Sequence, residues 1–522
     1  MTIQPELAPP PTSPPIATGT LDGPTPPDWR FGLIATAIYF LVLLPRTLMH
    51  VMWRDEWQAW MLVSDAGSFG EMLGSLRYEG HPWLWHILLY PLHLLWNDPA
   101  VMQVAHAVIT AGVALLIAVY LPVPRWARVL LLASYWFAFE YATISRNYSI
   151  GVLPLFASCV LQRQRPGAYI GQGVILAIAV QTNAFAMILA CVLGLVQVWT
   201  WFSSGRRDTV RFLIGGGILV AGLVLAVAQL APPDDRAYAE PFRLINVERG
   251  GRVVASYWRS FVPVMPFERT WRGDNFLDFT FDMGPAKFIQ PLLGIVLFAA
   301  ICFALPRRVL GVGFFLVGGL VFALFQYAVF PGGLRHQGHL VMLAIMTIWI
   351  SGGWAVLRKP QRQIWTGLLA ISAFAGIAAS IADLARPFSA APAIAQYIEA
   401  EYPADVPIVG HVDFAASSVA GNLDRPIWYL HPQPGRLGTF MRWDNRRNVW
   451  VEPELLTKTA EHARAASPDQ TVLLVMSEQS LAGQDESFVK VAEFKDATDD
   501  YERFTLYEYR PAPVPTTAPA GE

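Results

Sequence analysis

Long apolar stretches, separated by short polar breaks, recur from about residue 31 to residue 384 of this chain. A stretch of about 20 apolar residues is long enough to cross the hydrocarbon core of a bilayer as a helix. We predict membrane segments near 31–51, 81–97, 100–121, 127–144, 147–162, 168–184, 186–202, 212–231, 287–305, 309–330, 337–356 and 363–384. The pattern therefore predicts an α-helical polytopic membrane protein with about 11–13 membrane segments.

Basic residues in the short loops indicate how these segments are oriented. Arginine and lysine cluster at 125–128, 163–165, 206–211, 307–308 and 358–362, all on one predicted face. Such loops are usually cytoplasmic, so the intervening loops and everything after about residue 385 are expected outside. Tryptophans at 53, 57, 60, 83 and 85 suit an aromatic belt at the outer interface.

This orientation leaves a parity conflict around residues 81–121. If Arg125 is inside and loop 52–80 is outside, segments 81–97 and 100–121 cannot both cross the membrane. Either the first of them dips in and returns, or one helix is miscounted. Because 81–97 is short and contains His86 and His93, we predict a partial crossing.

Two regions outside the predicted segments also carry a pattern. In 52–80, apolar residues at helical spacing flank a break at 64–67, which predicts two amphipathic helices on the membrane surface. After residue 388 we predict helices over 392–402 and 452–466, and strands over 406–412, 471–476, 490–494 and 504–509. This second region is typical of a small α/β domain, and it contains no glycine-rich phosphate fingerprint.

The predicted organisation has four parts. Residues 1–29 form a disordered Pro-rich tail, and 30–385 form a transmembrane domain with external loops 52–80 and 232–286. Residues 388–510 form the α/β domain, expected in the periplasm, and 511–522 form a second disordered tail.

Composition supports this class and excludes others. The 522 residues are 54% hydrophobic and 15% charged, whereas a soluble globular chain has about 25% charged residues. The formal net charge of −2 leaves no basic footprint for nucleic acid. Cys159, Cys191 and Cys302 all lie in apolar stretches and are expected to be small buried hydrophobic residues without disulfides.

The clearest candidate chemistry is the acidic pair Asp55–Glu56, just after the first apolar stretch. Glu79 and His81 follow about 25 residues later, where the next stretch begins. Charges at the edge of a bilayer are costly unless they have a partner or a function. The pair therefore indicates an active site at the membrane surface; the plainer alternative is that Asp55 caps a surface helix or pairs with Arg54.

Cationic and aromatic residues form two further candidates. Arg146 and Tyr148 stand at a predicted outer helix end, and Arg335, His336 and His339 lie in a glycine-containing stretch at another. Arginine binds phosphate bidentately, so both groups are candidate phosphate sites. The alternatives are an arginine that extends to the interface and a loop whose charge faces water.

Four features together resemble the polytopic GT-C glycosyltransferases, especially bacterial lipid-linked-sugar transferases related to the aminoarabinose and protein O-mannosyl transferases. They are the Asp55–Glu56 pair, the His-Pro entry within 79–85, the Arg-x-Tyr stretch within 145–148, and a soluble domain after the last segment. Trp83 stands where a second proline often occurs, which leaves the subfamily open.

The resemblance implies transfer of a sugar from a polyprenyl-phosphate donor to a cell-envelope glycan or glycolipid, at the outer face of a bacterial inner membrane. It implies a single displacement with inversion, with Asp55 as general base and Glu56 as its partner in catalysis. The phosphate and lipid of the donor would bind at Arg146, Tyr148, Arg335, His336 and His339. Contacts with the acceptor or donor are expected from Glu79, His81, Trp57, Trp258 and Arg259.

Cofactor and partner expectations follow from the same resemblance. No cofactor is required by the sequence; a divalent cation (Mg, Mn or Ca) on Asp55, Glu56 and His81 is left open. The expected partners are the donor lipid, the bilayer and a glycan, lipid or protein acceptor.

Two other functions compete with a transferase. A transporter or flippase of lipid-linked sugars favours a site at the midplane and paired repeats of broken helices, and no internal repeat is evident. A non-catalytic scaffold gives Asp55, Arg146 and Arg335 no reason to meet. Their location around one pocket therefore separates the transferase from the scaffold.

Overall fold

A computed structural model describes residues 26–236, 246–266, 275–430, 435–444, 453–478 and 487–510. Most of the predicted N-terminal tail, all of the predicted C-terminal tail and parts of loop 232–286 lie outside these residues. The first helix already begins at Trp29, inside the predicted tail.

Helices account for the whole apolar part of the chain. They are α1 Trp29–Met49, α2 Arg54–Ser64, α3 Phe69–Leu76, α4 Leu84–Leu95, α5 Ala100–Tyr120, α6 Arg125–Leu132, α7 Ser149–Gln164, α8 Tyr169–Ala179, α9 Ala184–Ser203, α10 Thr209–Leu230, α11 Val247–Phe261, α12 Ile289–Ala304, α13 Phe314–Ala328, α14 Leu334–Ile350 and α15 Lys359–Ala385. Among the described residues, 7 helices are long and apolar enough to span a membrane: α1, α5, α9, α10, α15, and α12 and α13 with the turns before them. The predicted fold class, a helical multi-pass membrane protein, is confirmed.

The predicted segment 127–144 is a broken helix. After α6 the chain continues as a π-helical turn, Tyr135–Glu140. The break coincides with the closest approach of α15, where a side chain at Gly376 would lie 2.4 Å from the carbonyl oxygen of Ala133. The backbones of α15 and of the segment after α6 therefore lie close together at this break, just before the turn that carries Glu140.

The length and position of α4 bear on the parity conflict. Its 12 residues give a length of about 18 Å, too short to cross about 30 Å of hydrocarbon. At the start of α5, Gln103 donates hydrogen bonds to the carbonyl oxygens of Thr47 and His50, at the end of α1. Helix α5 therefore begins at the end of the bundle where α1 finished, and the partial crossing by α4 stays a prediction that the short helix favours.

Region 52–80 contains two helices, α2 and α3, with a break at 65–68, as the pattern predicts. Every side chain of α2 from Glu56 to Val63 is buried, so this helix does not lay an open apolar face on lipid. Helix α2 packs against α4 on one side and against the C-terminal region on the other. Its apolar residues are covered by protein rather than by lipid.

Residues 232–286 are more than a loop. They include α11, which packs on α12 and α14, followed by short 3₁₀ turns at Asp278–Asp282 and Gly284–Phe288. One face of α11 carries Val253, Tyr257 and Phe261, all buried in the bundle. The expected external loop therefore contributes a structural helix.

The C-terminal region is an α/β unit with a mixed sheet. Its elements are α16 Ala391–Glu401, β1 Ile408–His411, α17 Asp413–Leu423, β2 Ile427–Tyr429, β3 Arg436–Gly438, α18 Pro453–Ala466, β4 Val472–Ser477, β5 Phe488–Phe494 and β6 Phe504–Tyr509. The strand order is β3-β2-β1-β4-β6-β5, with β1 parallel to β2 and β4 and the other pairs antiparallel. Strands β1 and β4 are buried throughout, as expected for the parallel centre of a sheet.

Candidate active site

Asp55 lies between two arginines that come from distant parts of the chain. Its carboxylate forms an ion pair with Nη1 of Arg146, and the same Oδ2 lies 3.0 Å from Nη2 of Arg335. The side chain of Asp55 keeps 23% of its exposure and that of Arg335 keeps 30%. The three charges therefore form one cluster that is open to a ligand.

Local structure explains how each member reaches the cluster. Asp55 is the second residue of α2, where the helix dipole favours a carboxylate. Arg146 lies in the turn before α7, whose backbone is fixed because Ser145 N donates to a carboxylate oxygen of Glu56 at 2.6 Å. Arg335 lies in the first turn of α14, and its carbonyl oxygen accepts a hydrogen bond of 2.6 Å from the hydroxyl of Tyr141.

Two glycines allow α14 to begin where it does. Gly332 has φ +66, a conformation that side chains disfavour. At Gly338 a Cβ atom would lie 2.4 Å from the ring of Trp136. The stretch can therefore turn sharply and bring Arg335 against the Trp136–Tyr141 segment.

Aromatic rings surround the cationic groups. The guanidinium of Arg335 lies over the ring of Trp53, 5.1 Å from its centroid. The hydroxyl oxygen of Tyr148 lies 3.3 Å from Nε2 of His336, and the Tyr148 ring stacks on the ring of Tyr141. The Trp53 ring therefore helps to hold the Arg335 guanidinium.

Glu79 and His81 share the electric field of the cluster. Burial raises the pKa of Glu79 to about 7, against the opposing effects of its hydrogen bond from Gln58 and the charge of Arg146. Burial, assisted by Arg146 and opposed by Asp55, lowers the pKa of His81 to about 4. At neutral pH the pocket therefore carries a neutral imidazole and a carboxyl that is near its midpoint.

Asp55 behaves in the opposite way. Burial alone would raise its pKa, but Arg146, Arg335 and Arg54 outweigh that effect and hold the pKa well below its usual range. Asp55 is thus ionised throughout the physiological range while the arginines remain in place.

Three predicted site residues point away from this pocket. The Glu56 side chain is fully buried and lies 3.0 Å from Nε2 of His50. Trp57 packs against α17, where a Cβ atom at Gly421 would lie 2.4 Å from the indole. His339 is buried behind the wall, with Nδ1 3.1 Å from the Tyr141 hydroxyl. These residues support the pocket from behind rather than lining it.

Trp258 and Arg259 form a separate local set at the end of α11. Nε1 of Trp258 donates to Asn275 at 3.2 Å, and Nη2 of Arg259 lies 2.6 Å from Asp278. These contacts join α11 to the turn after the undescribed residues 267–274. The described contacts of both residues are therefore with the turn that follows α11.

Several residues at or behind the site are not among the predicted ones. Glu140, in the π-helical turn, interacts electrostatically with Arg335, Arg146 and Asp55 and accepts a hydrogen bond of 2.8 Å from Tyr135. Asp383, in α15, lies 2.8 Å from Nδ1 of His50. Both are ionisable residues within predicted membrane segments, a signal of function that the sequence offered.

The possible metal ligands do not converge. Glu56 faces His50, Asp55 faces arginines, and no group of three or more His, Cys, Asp or Glu side chains within the described ranges is placed to hold a metal ion.

Comparisons with known proteins gave no sequence match but did give a structural likeness. No family model matches the chain, and no curated protein matches its sequence. The structure is similar to that of ArnT from Cupriavidus metallidurans bound to undecaprenyl phosphate, with a TM-score of 0.46 and 13% sequence identity. The similarity covers 92% of this chain and 98% of that chain.

Proposed function

We propose that this chain is a membrane glycosyltransferase that moves a sugar from a polyprenyl-phosphate donor to a cell-envelope glycan or glycolipid. The observation that carries the proposal is the meeting of Asp55, Arg146 and Arg335 in one partly open cluster. A carboxylate beside two guanidinium groups supplies a proton acceptor and a phosphate site within one pocket.

The two arginines fit the phosphate of the donor. Each can offer two parallel N–H donors to phosphate oxygens, and aromatic contacts already hold the Arg335 guanidinium in place. A phosphate leaving group gains negative charge as its bond to the sugar breaks, so fixed cations stabilise the transition state more than the ground state. Tyr148 and His336 add polar groups at the same wall.

The reaction is a single displacement at the anomeric carbon. The acceptor hydroxyl oxygen forms the new bond to that carbon as the bond between the carbon and the phosphate oxygen breaks. The bonding electron pair leaves with polyprenyl phosphate, and the hydroxyl proton passes to Asp55. Attack opposite to the leaving group inverts the configuration at the anomeric carbon.

Donor binding and base strength are coupled in this scheme. In the empty pocket Asp55 is a weak base because Arg146 and Arg335 hold its pKa low. When the phosphate takes over both guanidinium groups, the carboxylate loses its cationic partners and its affinity for a proton rises. The donor thus activates the residue that receives the acceptor's proton.

The remaining assignments follow from position. Glu79 and His81 share the field of the cluster and are proposed to contact the acceptor or the sugar. An apolar cavity lined by residues that include Leu131, Trp136, Phe261, Ile345 and Trp365 is proposed to hold part of the donor lipid. The pocket and the C-terminal α/β unit are proposed to face the periplasm at the bacterial inner membrane.

The test compares the wild type with Asp55→Asn in nanodiscs. Labelled undecaprenyl-phosphate-linked hexoses and pentoses are supplied together with bacterial membranes as the acceptor source, and release of undecaprenyl phosphate is measured. We expect transfer by the wild type and a loss of about 10²–10⁴-fold in Asp55→Asn, the size expected for a general base.

Asp65→Asn is the matched control, since it makes the same change at the exposed end of α2. It should transfer at the wild-type rate. Equal transfer by Asp55→Asn and the wild type would remove Asp55 as the base. Absence of transfer with every donor, from folded wild-type protein, would reject the transferase itself.

A further inference from the structure

A buried chain of charges lies directly behind the proposed pocket. Nδ1 of His50 is 2.8 Å from Oδ1 of Asp383, and Nε2 of the same ring is 3.0 Å from Oε2 of Glu56. All three side chains are 0–2% exposed. They come from the end of α1, from α2 and from the end of α15, so the chain of contacts joins three elements.

The contacts of its two ring nitrogens show which protonation state of His50 fits this site. A neutral imidazole donates from one nitrogen only, whereas an imidazolium donates from both. Since each nitrogen of His50 faces a carboxylate oxygen, both carboxylates are satisfied only when the ring is protonated. Burial opposes that charge, but Asp383 and Glu56 together raise the pKa of His50 to about 10.

The far oxygen of Glu56 continues the chain to the pocket. Oε1 accepts a hydrogen bond of 2.6 Å from Ser145 N, and the next residue is Arg146, which pairs with Asp55. Asp55 is itself adjacent to Glu56 in α2. The Glu56 carboxylate therefore links the backbone next to Arg146 to the part of α2 that carries Asp55.

Two neighbouring basic residues are engaged elsewhere. The charge of Arg46 reaches Asp383, and that of His106 reaches Glu56. Arg46 donates to Thr143 at 3.0 Å, and His106 lies 3.1 Å from the Tyr141 carbonyl oxygen. On the remaining side the ring packs edge-on against Phe388, which also packs on Trp53.

We propose that His50, held by Asp383, is a positioning residue that fixes Glu56 and, through it, the Ser145–Arg146 turn against Asp55. It touches neither donor nor acceptor and acts through Glu56. Its benefit to phosphate binding rests on the proposed function, whereas its control of the turn does not.

The experiment uses His50→Gln in the full-length protein in nanodiscs, with two readouts. Hydrogen–deuterium exchange of the peptide covering residues 143–148 reports the Ser145 amide, and titration with undecaprenyl phosphate reports the arginine pair. We expect exchange to become about tenfold faster. We expect undecaprenyl phosphate to bind about 10–100-fold more weakly, as for a small misplacement of a binding group.

Gln361→Met controls for lost stability alone. Gln361 donates to the carbonyl oxygens of Phe303 and Leu305, so the change removes buried hydrogen bonds outside the chain of charges. It should lower the unfolding temperature without changing either readout. Unchanged exchange and unchanged undecaprenyl phosphate affinity in folded His50→Gln would overturn the proposal.

Two further outcomes are separable. If His50→Gln does not fold, Asp383→Asn keeps an acceptor for Nδ1–H while removing the charge, and it should change both readouts by about two- to fivefold. No change in either would reject the proposal. If wild type binds no undecaprenyl phosphate, the proposed function fails, while the exchange measurement still decides the role of His50.

Discussion

At the scale of single residues, Glu79 gives the pocket a titration near neutral pH. Its folded pKa of about 7 lies above the ordinary value of 4.5 because burial favours the neutral form. Because the pKa is raised in the folded state, Glu79 contributes to the free energy of unfolding in full below about pH 4.5. This contribution is lost as the pH rises through about 7. Glu79→Gln, which stays neutral, should therefore lose this pH dependence.

We expect the unfolding temperature of Glu79→Gln, relative to wild type, to rise by about 2–4 °C between pH 5 and pH 8. Thermal unfolding in nanodiscs across that range measures the difference. Glu461→Gln makes the same change at an exposed position of α18 and should follow the wild type. A difference between Glu79→Gln and wild type that is constant with pH would contradict the raised pKa.

Single functional residues can be predicted from the sequence when they are charged and lie at the ends of apolar stretches, where a charge is costly. Asp55, Arg146 and Arg335 are charges at the ends of apolar stretches, and the structure brings them together. The partners of Trp57 and Glu56 are not visible in that way, because periodicity indicates a buried face without naming what covers it. Gly421 of α17 and His50, directly after α1, are those partners.

At the scale of elements, Arg54 joins α2 to the C-terminal unit. Its Nη1 lies 3.2 Å from Asp499, its backbone N donates to Glu502 at 2.6 Å, and its guanidinium lies over Phe414 and Tyr501. Asp499 and Glu502 have side chains only 2% and 0% exposed. The start of the helix that carries Asp55 is therefore held by two buried carboxylates of another unit.

Arg54→Met should destabilise this junction by about 3 kcal/mol, because it leaves buried carboxylates without their cation. Chemical unfolding of the purified protein measures the loss of stability. The double variant with Arg54→Met and Glu502→Gln should recover part of the lost stability. Arg442→Met is the control: its side chain is 44% exposed and contacts Tyr78 across the same interface. Equal stability of the Arg54→Met protein and this control would show that the junction depends on other contacts.

The elements that could be predicted from the sequence are those with a clear pattern of hydrophobic residues. Apolar runs predict α5, α9 and α10 closely, and β1 and β4 were expected as buried strands. Helix α11 begins with a charged, glycine-containing turn, and α17 consists mainly of alanine, serine and other small residues. Both escape prediction because tertiary packing, rather than local hydrophobicity, makes them helical.

At the scale of the whole molecule, the pocket and the C-terminal unit lie at one end of the bundle. Gln58 of α2 exchanges two hydrogen bonds with the backbone of Met441, at 2.7 and 3.0 Å. The basic loops lie at the other end, where Asp28 pairs with Arg125 beside the end of α5. The positive-inside pattern then predicts that the pocket faces outside.

Labelling of intact cells with a membrane-impermeant maleimide tests this orientation, in a background without Cys159, Cys191 and Cys302. Glu461→Cys in α18 should be labelled from outside, whereas Arg207→Cys, in an exposed basic loop, should be labelled only after the membrane is permeabilised. Labelling in the reverse order would show that the pocket faces the cytoplasm.

Through its ion pairs, Asp55 also competes with any anionic ligand for Arg146 and Arg335. Because the carboxylate is tethered to the chain, it occupies Arg146 and Arg335 at a fixed effective concentration, whatever anions are present. A small anion gains little by displacing it, whereas a phosphate attached to a lipid and a sugar brings further binding energy to the exchange. In the proposed reaction the empty pocket is thus self-inhibited, and only a ligand with several points of contact releases Asp55 to act as the base.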